Sequence, residues 1–370
     1  MSEPIIDKGR QGPLAPASFT FSPSRESGGE GRGTACRAQD GDTGEGTCST
    51  PSCPPLKSAS SPRRVRIGTR GSALALAQAR WVECALTARY PGCAVELVII
   101  KTTGDKLKDV PLAQVGGKGL FIKEIEEALL AGRVDLAVHS LKDMPAALPP
   151  GLMLGAVPPR EDWRDAFISS RYAALAEIPA GGRIGTGSLR RRVQLLNLRP
   201  DLEVVPIRGN VDTRLRKMAD QGLDGLILAA AGLKRLGLAH LTRVLLAETE
   251  MLPAVGQGAL GLEVLTGDLE MREAVAFLDD PATRTAVTAE RAFLARLEGG
   301  CIVPVAGLGQ VENGRLSFQA LISDLEGRRL IRDRLAGPAA EAQDLGRRLA
   351  ERLLAQGGRE ILSAIYGRPL

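Results

Sequence analysis

One short pattern occurs twice in this chain. Arg66-Ile67-Gly68-Thr69 is followed by Gly71-Ser72 and by an apolar-periodic helix through Leu74, Leu76, Ala77, Trp81 and Leu86. Arg183-Ile184-Gly185-Thr186 is followed by Gly187-Ser188 and again by a helix. A weaker echo pairs Val134-Asp135-Leu136-Ala137-Val138 with Leu223-Asp224-Gly225-Leu226-Ile227-Leu228, each placed after a helix. Four matching residues arise easily by chance. Strand, glycine turn, N-cap and helix recurring together are harder to obtain that way, so two domains of one plan are the economical reading.

Strand and helix alternate through the first copy. Residues 95–100 and 134–138 are apolar runs of strand type, and residues 119–130 carry Phe121, Ile122, Ile125 and Leu129 on one helical face. That alternation predicts mainly parallel sheets whose loops gather at the carboxyl ends of the strands. Aromatic residues are only 3% of the chain, so burial rests on Leu, Val, Ile and Ala, the filling of sheets covered by helices. Residues 252–258 read as a turn-rich connector, and residues 259–264 as a strand returning to the first domain. Beyond about residue 280 the character changes. A helix through Val287, Ala289, Ala292, Phe293 and Leu297 leads into Gly299-Gly300-Cys301, then short strands follow with hairpin signals at Asn313-Gly314 and Glu326-Gly327. Helices at 339–355 and 360–366 close a small α+β domain. The expected division is a leader at 1–62, domain 1 at 63–160 plus 259–276, domain 2 at 161–258 and domain 3 at 280–370.

The leader is rich in Gly, Ser, Pro and Thr without apolar periodicity, so it is expected to be disordered. Acids at Glu3 and Asp7 argue against a transit peptide, and an over-long start or a species-specific tail is preferred. No run of eighteen apolar residues and no signal-peptide order is found, so neither a membrane nor export is expected. The net charge is +5, but 43 acids are mixed among 48 basic residues, which favours a small anionic ligand over nucleic acid. Six cysteines without metal-type spacing predict no metal and no disulfide framework, consistent with a reducing cytoplasm.

The strongest chemical signal is Ser188-Leu189-Arg190-Arg191-Arg192. With Ser188 as N-cap, three arginines fall in a first helical turn, where free N–H groups and the helix dipole are already positive. Each cation there costs roughly a few tenths of a kcal/mol, and a bound anion reverses the sign. Gly185, Thr186, Gly187 and Ser188 add backbone and hydroxyl donors for the same anion. The other reading turns the guanidiniums to solvent or to acids of a neighbouring domain. Arg70, Lys118, Lys142, Arg208, Arg214 on a helix capped by Asn210, and Arg235 fall at loops or helix starts near strand ends. Planar guanidiniums suit carboxylates. Asp143, beside Lys142 in a Lys-Asp-Met-Pro turn, is either a turn cap or an acid held ionised among cations. His139 is one of two histidines and reads as a packed or solvent-side residue rather than a catalytic one. Cys301 after two glycines is either a buried filler or an approachable nucleophile or tether.

Taken together, several motifs resemble the hydroxymethylbilane synthase, or porphobilinogen deaminase, family. They are Val115-Gly116-Gly117-Lys118-Gly119-Leu120-Phe121, His139-Ser140-Leu141-Lys142-Asp143, Gly187-Ser188-Leu189-Arg190-Arg191, Ile207-Arg208-Gly209-Asn210, Val255-Gly256-Gln257-Gly258 and Glu298-Gly299-Gly300-Cys301. The resemblance runs from about residue 63 to the C-terminus.

It implies two similar doubly wound α/β domains of solute-binding-protein type with a hinge, plus the small α+β domain. It implies a transferase that condenses four porphobilinogen molecules head-to-tail with release of ammonia, on a dipyrromethane cofactor tethered by a thioether to Cys301. Asp143 would be the catalytic carboxylate, bonding pyrrole N–H groups and stabilising the cation left as ammonia departs, with Arg70 assisting proton transfer. Lys142, Ser140, Thr186, Ser188, Arg190 and Arg191 would hold the cofactor, and Ser72, Arg208, Arg214 and Arg235 the substrate or growing chain. Lys118 and Phe121 would lie in a mobile loop, and Gln257 near the hinge. Gly187 stands where some members have serine, which removes one hydroxyl contact, and Trp163 follows Glu161-Asp162 where others have proline. A cytoplasmic monomer is expected, or a plastid protein if the leader is a transit peptide. The rival is a two-domain binding protein for an anionic solute.

Overall fold

Arg66 and Arg183 open the two copies of the repeat, and each backbone N–H donates to an aspartate at the head of a neighbouring strand. Arg66 N donates to Asp135 (2.8 Å) and Arg183 N to Asp224 (2.6 Å). The aspartates return the bond through their own N–H groups, to Arg66 O at 2.9 Å and Arg183 O at 2.8 Å. The two echoes in the sequence are therefore the two halves of one interaction, made once in each sheet. In the first copy the Arg66 guanidinium also closes on Asp135, at 2.6 and 3.0 Å. In the second, Arg171 takes the Asp224 carboxylate instead, at 2.7 Å.

These observations come from a computed structural model, which describes residues 62–106, 122–298 and 303–370. Residues 1–61 of the leader, Lys118, Phe121 and Cys301 lie outside the described residues. The strands are β1 (Arg64–Thr69), β2 (Ala94–Ile99), β3 (Leu136–Ser140), β4 (Leu152–Ala156), β5 (Asp165–Ile168), β6 (Arg183–Gly185), β7 (Glu203–Val205), β8 (Gly225–Ala229), β9 (Val244–Leu245) and β10 (Leu260–Leu265). They form two five-stranded sheets, ordered β2-β1-β3-β10-β4 and β7-β6-β8-β5-β9. The orders correspond strand for strand. In each sheet the first three strands are parallel and the fourth is antiparallel to its neighbours.

The antiparallel strand is where the chain changes sheets. Residues 157–164 lead from β4 into β5, and residues 246–259 lead from β9 back into β10, the return strand expected from residues 259–264. The two crossovers are tied to each other. Arg160 Nε donates to Gln257 O (2.8 Å), Gln257 Nε2 to Trp163 O (2.8 Å) and Glu161 N to Gly258 O (3.3 Å).

The helices follow the expected apolar faces. Helix Ala73–Arg89 packs Ala79, Val82 and Leu86 on the first sheet, and the Ser72 hydroxyl accepts from Ala75 N at 3.3 Å as its cap. Ser188 and Asn210 also sit at N-cap positions, but neither side chain makes the capping bond expected of it. Helix Lys123–Leu130 covers the other face of the first sheet with Ile125, Ala128 and Leu129.

The third sheet is an antiparallel meander of β11 (Val305–Glu312), β12 (Arg315–Ser323) and β13 (Leu330–Pro338). Asn313 and Gly314 make its first turn with φ of 49° and 73°, the two positive values that a two-residue hairpin of this hand requires. Helix Pro281–Arg296 lays Phe293 edge-on to Phe318, ring centres 5.5 Å apart. The helix expected over 339–355 is shorter, Ala342–Leu353, because the chain turns widely at 354–358 around Gly357 (φ 105°) before helix Arg359–Tyr366.

The aspartates at the strand heads give a direct check on this layout. Asp224→Ala removes the acceptor of the Arg183 N–H and is expected to cost about 1–3 kcal/mol of stability, the usual penalty for leaving such a donor unpaired. Urea unfolding of the variant measures it, and an unchanged midpoint would show that this bond does not organise the second sheet.

Candidate active site

Two walls of polar side chains come from the carboxyl ends of the two sheets. The first wall surrounds a small cavity between the start of helix Ala73–Arg89 and the end of β3, lined by Arg70, Ser72, Gln78, His139, Ser140 and Asp143. Gln78, which sequence reasoning passed over, donates to Ser140 Oγ at 2.8 Å and ties the helix to the strand end. Asp143 is exposed at the end of a single 3-10 turn, Leu141–Asp143, whose first N–H donates to Ala259 O at 3.0 Å. Gly256 (φ 73°) lies flat against that turn. A Cβ there would stand 3.0 Å from Leu141 C and from Lys142 N, so the crossover reaches the site only because this residue has no side chain. Burial pushes the Lys142 ammonium down to about 8, Arg191 and Arg190 add to the fall, and Asp143 and Asp165 oppose it.

The second wall is built on helix Leu189–Leu198. Arg190 and Arg191 are each only 5% exposed, while Arg192 faces solvent. Their compensating charge is Asp165, the first residue of β5 and 0% exposed. Arg190 Nη1 donates to Asp165 Oδ2 (2.6 Å) and to Leu252 O (2.8 Å). Arg191 donates to Asp165 Oδ1 through Nε (3.0 Å) and Nη2 (2.8 Å), and to Ile227 O (3.0 Å). Gln257 Nε2 gives Asp165 Oδ1 a further bond at 2.9 Å. Burial alone would raise the Asp165 carboxyl, but the two guanidiniums hold it well below the usual carboxylate range. The cations expected to be unfavourable at this helix start are thus neutralised in part from within the chain. Arg190 Nε is buried and has no partner among the described residues.

Thr186 and Ser188 lie beneath this helix start, with Ser188 N donating to Thr186 Oγ1 at 3.2 Å. Arg214 donates through Nε to Gly209 O (2.8 Å) and is pushed down to about 10 by burial, then by Arg191 and Arg208, against Asp143. Asp143 and Arg214 come from opposite sheets, so the two walls act on each other's charge. Arg235 belongs to the crossover side. It donates to Gly258 O at 2.7 Å, and burial pushes it down to about 10 against Glu161. At Gly187 a Cβ would meet the Ile207 carbonyl oxygen at 2.6 Å. The backbone here would have to shift to accept a serine, so more than a lost hydroxyl distinguishes this position.

The structure therefore brings Arg70, Ser72, Ser140, Lys142 and Asp143 to one wall, and Thr186, Ser188, Arg190, Arg191, Arg208 and Arg214 to the other. Gln257 lies where the two crossovers meet, 0% exposed. His139 is a packed histidine with a buried partner, Glu263, 3.1 Å from its Nε2. Asp165 is the member of this cluster that sequence reasoning missed. Its signal was an acid opening the apolar strand Asp165-Ala166-Phe167-Ile168, since a fully buried carboxylate needs cations and Arg190-Arg191 needed an anion. A donor set so rich in guanidinium, with an orphaned Arg190 Nε, fits a ligand carrying several carboxylates.

Comparisons with known proteins bear on the same residues. The family description "Porphobilinogen deaminase, dipyromethane cofactor binding domain" matches residues 65–273, and "Porphobilinogen deaminase, C-terminal domain" matches residues 284–355. The chain is 54% identical over 307 residues to the porphobilinogen deaminase of Geobacter metallireducens, covering 83% of this chain and 96% of that one. It is 55% identical over 309 residues to that of Trichlorobacter lovleyi (84% and 99%), and 55% over 305 residues to that of Geobacter sulfurreducens (82% and 96%). Among solved structures, a periplasmic substrate-binding protein of an ABC transporter from Coxiella burnetii is 15% identical, with a TM-score of 0.38 over 61% of this chain and 96% of that one. Two matching family descriptions, and relatives more than half identical over nearly their whole length, make this chain a member of the porphobilinogen deaminase family.

Proposed function

We propose that this chain is a hydroxymethylbilane synthase, a transferase that joins four porphobilinogen molecules head-to-tail with loss of ammonia to give the linear tetrapyrrole. The observation that carries the reading is a single cluster of mutually acting charges in which Asp143 and Lys142 of the first sheet face Arg190, Arg191 and Arg214 of the second. Each porphobilinogen unit carries an acetate and a propionate, so a growing chain gathers carboxylates. Several guanidiniums serve such a ligand better than they serve one small acid.

The dipyrromethane cofactor supplies, when bound, the pyrrole to which the first substrate is joined. Cys301 is its tether in this reading, through a thioether that consumes the thiol once. Lys142 and Ser140 on one wall, and Thr186, Ser188, Arg190 and Arg191 on the other, hold its carboxylates. Arg208, Arg214 and Arg235, with Ser72, bind the incoming substrate and the lengthening chain. Asp143 accepts the pyrrole N–H and stabilises the positive charge that forms on the substrate as ammonia leaves. Arg70, lining the same cavity, assists the proton that departs with the amine. The loop role given to Lys118 and Phe121 stays part of this reading and lies outside the described residues.

In domain terms, residues 63–160 with 259–276 form the unit that carries Asp143, residues 161–258 the arginine-rich unit with Gln257 at the hinge, and residues 280–370 the unit that presents Cys301. We place the enzyme in the cytoplasm as a monomer serving tetrapyrrole synthesis. The relatives named above are bacterial, which lends no support to a plastid address. No described helix is long and apolar enough to cross a membrane.

The intact mass of the purified full-length chain tests the reading as a whole. An adduct of two pyrrole units is expected, absent from Cys301→Ala; an unmodified parent mass would sink it. Asp143→Asn, which keeps the shape and removes the charge, should retain the adduct and the fold but lose turnover by at least a hundredfold, roughly the scale of a lost transition-state charge contact. Near-parental turnover in that variant would refute the role given to Asp143. Arg191→Leu leaves Asp165 with one guanidinium fewer and is expected to cost about 3–5 kcal/mol as well as blocking cofactor assembly. A folded variant with a normal adduct yield would show that Arg191 serves Asp165 alone.

A further inference from the structure

Behind the first wall lies a set of ionisable side chains that the reaction as described does not use. His139 from β3 is 5% exposed, Glu263 from β10 is 0% exposed, and Glu126 from helix Lys123–Leu130 is 8% exposed. His139 lines the cavity that holds Asp143 and Arg70, and its Nε2 is 3.1 Å from Glu263 Oε2. One oxygen of each carboxylate, Glu263 Oε1 and Glu126 Oε1, is buried with no partner among the described residues. Buried carboxylate oxygens without donors are costly, and two together are more so.

Charge balance limits what this cluster can hold. Among the described residues, Arg291 of helix Pro281–Arg296 is close enough to Glu263 to act on its charge, with Nη2 donating to Ala146 O at 2.9 Å. Arg70 and Asp143 face His139 across the cavity, and on Glu126's own helix Lys123 and Glu127 are exposed and paired with each other at 3.9 Å. One buried anion is matched by Arg291. Among the described residues, the His139 imidazole is the group that acts against the charge of a second. Burial raises the Glu126 carboxyl above the ordinary carboxylate range, Glu263 raises it further, and His139 opposes the rise.

We propose that buried Glu126 keeps its proton in the folded protein and that Glu263 fixes the neighbouring imidazole. Glu263 is then the positioning residue that holds His139 by its Nε2–H, and with it the end of β3 from which Ser140, Lys142 and Asp143 emerge. β3 and β10 pair at this point, His139 opposite Gly261 and Ser140 opposite Leu260, so a displaced imidazole acts on the strand that delivers the catalytic turn. The active-site consequence rests on the function proposed above, whereas the proton on Glu126 does not.

The folded protein retains a proton on Glu126 at pH values where the unfolded chain has released it. Stability therefore falls as pH rises from the ordinary glutamate range through the raised value. In the holoenzyme, Glu126→Gln should remove that part of the decline in Tm between pH 4 and pH 8, a window of roughly the usual glutamate range upward. Infrared spectroscopy of the parent at pH 7 should show the carbonyl stretch of a protonated carboxyl that is missing from the variant. Glu263→Gln should lower kcat at least tenfold with KM for porphobilinogen within twofold, because the arginines that bind carboxylates are untouched. The proton on Glu126 is overturned if Glu126→Gln keeps the parental slope of Tm with pH, or if the infrared band is absent from the parent. The positioning role is overturned if Glu263→Gln changes KM rather than kcat, or changes neither. The infrared measurement on the parent needs no variant to fold and is independent of activity.

Discussion

Asp165 is the point on which the second half of the site depends. A carboxylate with no exposure is tolerable only if cations and donors reach it, and here two guanidiniums and the Gln257 amide do. The geometry works in the other direction as well. Two arginines in the first turn of a helix repel the helix dipole and each other, and a bidentate acid at the strand end fixes both planes. The arginines are in this way aligned before any ligand arrives. In the proposed function, a ligand carboxylate would meet side chains whose rotamers are already chosen, which would reduce the ordering cost of binding. Gln257 joins this network to Trp163 O, so alignment of the arginines and the lacing of the crossovers are one structure.

A second buried acid performs a similar service for the third sheet. Glu290 of helix Pro281–Arg296 has no exposure and accepts from Gly256 N (2.6 Å), Gly309 N (2.9 Å) and Arg160 Nη1 (2.5 Å). Those donors belong to one crossover, to β11 and to the other crossover. The helix that precedes Cys301 is therefore pinned to both segments where the chain changes sheets. Gly256 takes part twice, through its N–H to Glu290 and through its bare Cα against the Leu141–Lys142 peptide.

Much of this was legible in the sequence because it rests on local rules. The repeated Arg-Ile-Gly-Thr pattern marks the strand and turn that open each sheet, Asn313-Gly314 marks a two-residue hairpin, and residues 259–264 read as a strand that follows the turn-rich connector. What stayed hidden was pairing across long separations. Asp165 and Arg190 are 25 residues apart, His139 and Glu263 are 124 apart, and Arg160 and Glu290 are 130 apart. No periodicity links such partners. Ser188 and Asn210 show the opposite failure, since the residue types favour capping but the side chains do not make the bond. The third residue of the arginine run, Arg192, differs from its neighbours only by helical phase and points to solvent.

The exchange of antiparallel strands has a consequence for how the chain is made. β10 lies between β3 and β4, so the first sheet cannot close until residues 260–265 exist, more than a hundred residues after β4. During synthesis β3 is an open edge and β4 has no strand beside it, while the entire second sheet is completed. Open edges invite pairing with other chains, and contacts of such high sequence separation form slowly. The second sheet escapes this, because β5 precedes all its partners. One half of the site is thus assembled on a finished scaffold, and the half that carries Asp143 matures last, when the strand beside it returns.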